Sequence, residues 1–229
     1  MNLKWLGHSC FLLTSESGVR ILMDPCAPKT GYTIAPVEAD AVTASHDHYD
    51  HNYFDAALGD PVRITEPGVH EVKGVRITGI PTWHDKERGA KRGRNIMFLV
   101  EMDGIRLLHA GDLGHLPDEA AVRAVGQVDV LLAPIGGVYT IDGTEAKELA
   151  RLLHPKVFVP MHYKTERLSF ELDGLSPFLD SLKGGAIHRM RQSEATLRRK
   201  ASAPAACWCL NTKSRMRLHK PSLRKLSLF

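Results

Sequence analysis

The chain predicts an α/β fold, and three features of its 229 residues carry that expectation. Short apolar or alternating runs, closed by Gly, Pro or Asp, read as strands. Between and after them stand segments with helix caps. Histidines and aspartates gather in loops directly after strand-like runs, and the carboxyl end of a strand is where an α/β sheet presents its chemistry.

The elements follow in order. Leu3–Leu6 and Phe11–Thr14 read as two strands around Gly7, and Arg20–Pro25 as a third, ended by its proline. Cys26 to Pro36 is a loop. Ala39–Ser45 is a short buried strand ending in small residues, and Asn52–Leu58 a short helix. Pro61–Thr65 is a strand. Val75–Ile80 alternates and leads toward His84. Asp85–Arg94 is basic and glycine-punctuated, which predicts a mobile rim or lid. Asn95–Glu101 and Ile105–His109 form a hairpin closed by Asp103-Gly104. Pro117–Val125 reads as a helix with proline in its first turn. Val128–Ala133 is an apolar strand. Asp142 caps a helix through Leu153, with Glu145 at the capping-box offset. Lys156–Val159 is a strand, and Leu175–Leu182 a last short helix.

The bulk composition excludes several classes. A hydrophobic fraction of 43% and a charged fraction of 24% are ordinary for a globular protein. No apolar run is long enough to cross a bilayer. Met1–Trp5 lacks an apolar signal core, so cytoplasmic location and no membrane partner are expected. Cys10, Cys26, Cys207 and Cys209 are too few and scattered for a disulfide scaffold and read as reduced thiols. The one-residue gap of Cys207-Trp208-Cys209 is short for a zinc knuckle.

Charge divides the chain. From Arg189 onward there are eleven Lys and Arg against one acid, Glu194, which leaves 19 basic and 25 acidic residues before it. The body is acidic and the end basic. Residues from Thr196 onward show no strand or helix period, so the expected domains are 1–195 and a poorly ordered basic tail, 196–229. An electrostatic arm for nucleic acid or a membrane surface is the functional alternative for that tail.

The chemistry concentrates in His46-Asp47-His48-Tyr49-Asp50-His51, three histidines and two aspartates in six residues. Imidazole and carboxylate are the usual ligands of zinc and similar divalent metals. One such loop can face two ions, His46 and His48 toward one, Asp50 and His51 toward the other.

Together with four further segments, this loop resembles the metallo-β-lactamase superfamily. Those segments are Trp5–Phe11, Ile80–Asp85, His109–Asp112 and Pro160–Tyr163. The resemblance spans about Met1 to Lys183 and is greatest to small metal-dependent hydrolases that include ascorbate-6-phosphate lactonase-like proteins. It implies an αββα sandwich of two mixed sheets with helices outside. It also implies a first metal on His46, His48 and His84, a second on Asp50, His51 and His162, and Asp112 bridging them with a water or hydroxide. The ions would be zinc, with manganese or iron as alternatives. His8 would lie near the metals, as a substrate contact, a proton donor or a structural histidine, and the expected catalytic residues are Asp50, Asp112 and His8. Asp47 either orients a ligand or faces solvent. His109 and His115 flank Asp112 as competing ligands. Gly136–Thr140, with Tyr139, is either a wall of the pocket or a plain turn.

The implied activity is hydrolysis of a small-molecule ester, lactone or phosphoester by metal-bound hydroxide, with lactone resting on family analogy alone. Two rivals remain: an RNA-processing nuclease of the same superfamily, and a protein that holds metal without turnover. Oligomeric state is not legible.

Overall fold

The computed structural model describes residues 1–182, 186–198 and 206–210. The start of the chain supplies five strands of a six-stranded mixed sheet. β1 (Asn2–Gly7), β2 (Cys10–Thr14) and β3 (Arg20–Met23) run antiparallel. After the two-residue β4 (Val37–Glu38), β5 (Ala41–Thr43) pairs parallel to β3. The helix expected over Asn52–Leu58 is only a 3-10 turn, Phe54–Ala56, running into β6 (Ala57–Leu58), which pairs with β4. Ala57 and Leu58 pair with β4 instead, and the chain is drawn out of the helix by that pairing. β7 (Val62–Ile64) closes the sheet beside β5.

The second half builds an eight-stranded sheet. β8 (Gly68–Val72), β9 (Val75–Trp83), β10 (Arg94–Met102) and β11 (Ile105–His109) are antiparallel neighbours. β12 (Val130–Pro134) and β13 (Val157–Met161) continue it in parallel. Helix α1 (Glu119–Val125) is capped by Asp118, with Pro117 just ahead of the cap. α2 (Gly143–Leu153) carries the expected Asp142–Glu145 capping box and buries Ala146, Leu149 and Leu153. α3 (Leu175–Ser181) packs against α2.

The sheets face each other over one apolar core. Alternation sends Leu3, Trp5, Phe11, Leu13 and Ile21 inward, against Ile77, Phe98, Leu107 and Val130. The opposite parity, Cys10, Leu22 and Val42, points to the outer face of the six-stranded sheet, where Tyr32, Ala56, Leu168 and Leu172 cover it from loops. No helix among the described residues is long and apolar enough to cross a membrane.

The largest departure from expectation lies at the end of the chain. β14 (Ala186–Arg189) and β16 (Ala206–Cys209) join the eight-stranded sheet, with β16 between β13 and β14 and parallel to both. β15 (Glu194–Thr196) crosses to the other sheet and pairs with Asn2–Lys4 of β1. The tail expected from Thr196 is therefore corrected at these residues. Leu197, Cys207, Trp208, Cys209 and Leu210 are buried in the core. Their segments are too short for a period to be read, and neighbouring strands supply the ladder. Residues 199–205 and 211–229 of the expected tail lie outside the described residues.

Two outcomes are expected from this placement. Trp208→Ala should cost about 3–5 kcal/mol of stability, the usual penalty for emptying a buried aromatic site, read by denaturant unfolding. Truncation after Arg198 removes β16 and should lower the melting temperature far more than truncation after Leu210.

Candidate metal centre

The residues singled out in the sequence meet at one end of the sandwich. His8 follows β1, the His46–His51 loop follows β5, His84 follows β9, Asp112 follows β11 and His162 follows β13. Each side chain thus stands just past the carboxyl end of a strand, where backbone direction changes and a polar group escapes the apolar core.

Three overlapping groups of potential ligand atoms result: His46, His48 and His84; His8, Asp50, His51 and His162; and His46, His51 and Asp112. Asp112 lies at the middle. Its Oδ2 is 3.2 Å from Nε2 of His84 and 3.2 Å from Nε2 of His162, and its Oδ1 is 3.0 Å from Nε2 of His51. His46 Nε2 is 3.8 Å from Oδ2. Yet His46 Nε2, His51 Nε2 and Asp112 Oδ1 are buried without a hydrogen-bond partner. Buried polar atoms left this way are costly, and atoms that converge without pairing are what a cation between them would satisfy. The donor set, imidazole nitrogen and carboxylate oxygen, is that of zinc-like divalent ions. The residues fit such a group.

Electrostatics favour the protonation states a cation needs. Burial pulls the His8 imidazole down to about 4, reinforced by His162. Burial and then His51 pull His46 down to about 3. Burial alone would raise Asp50 and Asp112, but the surrounding imidazoles outweigh it and hold both below the carboxylate range. At neutral pH the cluster thus offers neutral imidazoles at His8 and His46 and charged carboxylates at Asp50 and Asp112; at His51 burial is outweighed by Asp112 and Asp50, which raise it well above its ordinary value, so its proton must leave when an ion binds.

The competing histidines are both occupied. His109 donates Nε2–H to the Ser9 carbonyl and accepts the Gly111 amide at Nδ1. His115 donates Nδ1–H to the Leu116 carbonyl and accepts the Trp83 amide at Nε2. Neither ring has a nitrogen left for a ligand. Asp47 is exposed and accepts from Asn52 Nδ2, so it faces solvent rather than a ligand histidine. Gly136 is more than a plain turn: a Cβ there would sit 2.2 Å from the His162 carbonyl oxygen, so only glycine lets this loop pass behind His162. Tyr139, on the same loop, lies 6.1 Å from Phe170 between ring centroids, and Phe170 lies 5.5 Å from His8.

The expected lid is a tightly wound loop. The Asp85 carboxylate accepts four backbone amides, from Glu87 and Gly89 on Oδ1 and from Lys91 and Arg92 on Oδ2. Those four donors outweigh the effect of burial and hold Asp85 down to about 2. Basic charge and glycines suggested mobility; one carboxylate at the centre of the turn reverses that reading.

With the geometry defined, the relationships to known proteins are direct. The β-lactamase superfamily domain profile matches residues 2–162. The chain belongs to the β-lactamase superfamily. Within it the chain belongs to the UPF0173 metal-dependent hydrolases. It is 33% identical over 193 residues to a member from Thermococcus kodakarensis, covering 72% of this chain and 85% of that relative. It is 30% identical over 210 residues to one from Methanoregula boonei, covering 79% and 90%. Among solved structures, a metallo-β-lactamase superfamily protein from Thermotoga maritima is 39% identical with a TM-score of 0.76, covering 91% of this chain and 98% of that one.

Three residues that organise the centre of this superfamily member escaped sequence reasoning. Asp24, just after β3 and fully buried, accepts His51 Nδ1–H at 2.7 Å, the Ser45 amide at 3.0 Å, and the Ser45 hydroxyl. Ser45 Oγ in turn stands 3.0 Å from His46 Nδ1. One carboxylate therefore fixes the tautomer of two histidines and turns both Nε2 atoms toward Asp112. Asn95 accepts the Asp112 amide at 2.9 Å while donating to the Ala110 carbonyl and Thr82 Oγ1. Gly111, at φ +58°, has Asn95 Oδ1 2.4 Å from where a Cβ would be. The sequence signal for Asp24 was faint: an aspartate closing an apolar strand before Pro25. Its φ of 45°, with His8 at 50° and His162 at 49°, marks left-handed backbone held at the site by its surroundings.

Asp24→Asn keeps the shape and tolerates the left-handed conformation but loses the charge that polarises His51. It should weaken divalent-ion affinity about 10–100-fold, as loss of such supporting carboxylates does. A competition titration with a chromophoric chelator, beside an unchanged far-UV circular dichroism spectrum, checks it.

Proposed function

We propose that this metal-dependent hydrolase holds two divalent ions, zinc by its donor set, and hydrolyses an ester, lactone or phosphoester of a small molecule. One observation carries the reading. The Asp112 carboxylate stands within 3.2 Å of His84 from one ligand group and of His51 and His162 from the other. A buried carboxylate shared between two triads is the arrangement a bridging ligand requires. His46, His48 and His84 would hold one ion; Asp50, His51 and His162 would hold the second.

Bound there, the ions would supply Lewis acidity and lower the pKa of a coordinated water toward neutrality. The chain's own groups do the rest. Asp50 Oδ2 accepts His8 Nε2–H at 3.2 Å and faces His51 Nε2 at 3.6 Å. This carboxylate is placed to take the proton of the attacking water. His8 orients it. Proton donation by a His8 imidazolium does not suit the site, because burial keeps the ring neutral at pH 7 and nearby cations would depress it further. Phe170 and Tyr139 shield the His8–His162 side from water.

A small substrate is favoured over structured RNA. Between His84 and His162 the chain contains only β10 to β13, two helices and their turns, with no inserted arm. Lactone among the substrates is supported by the lactonase-like resemblance alone. Four free, buried thiols support a reducing compartment, the cytoplasm.

Elemental analysis of purified protein should find close to two divalent ions per chain. Asp112→Ala should lose at least one of them with most of the esterase, lactonase or phosphodiesterase activity, and chelator treatment should abolish activity until metal is restored. Full activity without metal would remove the reading. His8→Ala should keep both ions and lower turnover about 10–100-fold, the range for a group that orients a reacting one. His8→Gln, which can still donate to Asp50, should restore part of the loss. Loss of an ion in His8→Ala would place His8 among the ligands.

A further inference from the structure

Two of the cations at the mouth of the centre rest on tyrosine rings, and the hydrolytic chemistry uses neither. Arg92, half-buried, lies with its guanidinium carbon 4.9 Å from the Tyr139 ring centroid. Lys29 lies with Nζ 3.7 Å over the ring of Tyr49, inside the metal loop. Neither side chain has a carboxylate partner among the described residues, whereas Lys86 and Lys91 of the same rim pair with Glu145 and Glu87. Both tyrosines are about two-fifths exposed.

Their position ties them to the site. Arg92 lines a cavity of about 360 Å³ together with His46, His48 and a second arginine, Arg94. Tyr139 packs on Phe170, which packs on His8 and His162. Arg92 and Tyr139 thus span the opening from one ligand group to the other. Two acids share that cavity: Asp47 is engaged by Asn52, and Glu66 stands on the far side between β7 and β8.

The guanidinium is also held in place. The Arg92 amide donates to Asp85 Oδ2 at 2.7 Å, so the residue is anchored in the wound loop, and the ring beneath restricts the side chain. A planar cation fixed on an aromatic platform, partly desolvated and unpaired, is a ready receptor for a carboxylate or phosphate, which it can bind with two parallel hydrogen bonds.

We propose that the substrate of this centre carries an anionic group, carboxylate or phosphate, which Arg92 on its Tyr139 platform binds at the mouth, with Lys29 on Tyr49 adding positive potential. The inference rests on the hydrolytic reading above and names the substrate class for it. The reacting bond lies inward at the ligands, and the charged group lies outward at the rim, so a single substrate spans both.

The test uses the metal-loaded full chain. Three 4-nitrophenyl esters, alike except for a terminal methyl, carboxylate or phosphate, measure selectivity, and calorimetry with glutarate and methylphosphonate measures anion binding without turnover. In the wild type at least one anionic ester should exceed the neutral one in kcat/KM, and the corresponding probe should bind. In Arg92→Ala the anionic-to-neutral ratio should fall at least tenfold, with a matching loss of probe affinity. Arg92→Lys, which keeps charge without the fork, should recover part of it. Lys147→Ala, on α2, controls for net charge and should leave the ratio in place. Arg92→Gln serves if the alanine variant melts early. The ester that is preferred separates a carboxylate substrate from a phosphate one. Probe affinity and selectivity unchanged in Arg92→Ala would overturn the proposal, as would preference for the neutral ester. Probe binding that depends on Arg92, without turnover of any ester, would keep the anion site and overturn the hydrolytic reading.

Discussion

The imidazole of His51 lies between two buried carboxylates, and the centre depends on that contact. Nδ1 donates to Asp24 and Nε2 stands 3.0 Å from Asp112. Burial by itself would lower the His51 pKa, yet Asp112, Asp50 and Asp24 raise it well above its ordinary value. Charge of one sign is thus packed around a single ring inside a low-dielectric core. Such an arrangement is stable only while positive charge stays among the carboxylates. Without metal a proton supplies it; with metal, the cations would.

The scaffold bears this concentration of charge because its residues are delivered from the ends of six different strands, β1, β3, β5, β9, β11 and β13. Six loops converge from both sheets, and the apolar core beneath them fixes their relative positions. Close approach sets further limits. Gly111 passes against Asn95, and Gly136 passes behind the His162 carbonyl, at distances that no side chain would allow. Asn95 then uses its amide to hold the Asp112 backbone, so the central carboxylate is positioned by β10 as well as by its own loop.

The rim follows the same principle at lower density. Asp85 spends its carboxylate on four backbone amides and so freezes a basic loop that would otherwise fray. That loop presents Arg92 to Tyr139, and the loop after β12 presents Tyr139 to Phe170. Strand ends set the chemistry, and wound loops between them set what can reach it.

The sequence by itself determined the α/β class, most strands and most of the residues that meet at the centre. His46, His48, Asp50 and His51 were legible because they sit in one hexapeptide; His84, Asp112 and His162 were implied by the resemblance of their segments to the superfamily. The α2 cap was legible because Asp142 and Glu145 are three residues apart. Only the tertiary structure decided the rest. Asp24 and His51 lie 27 residues apart, and Asn95 and Asp112 lie 17 apart, so no local pattern links them. His109 and His115 are set apart from the other histidines by backbone partners that exist only once the strands are paired. β16 is a strand because β13 and β14 flank it, not because four residues have a period. Local periodicity records which face of a segment is buried; hydrogen-bond partners across the sheet record what the buried groups do, and those form only in the folded chain.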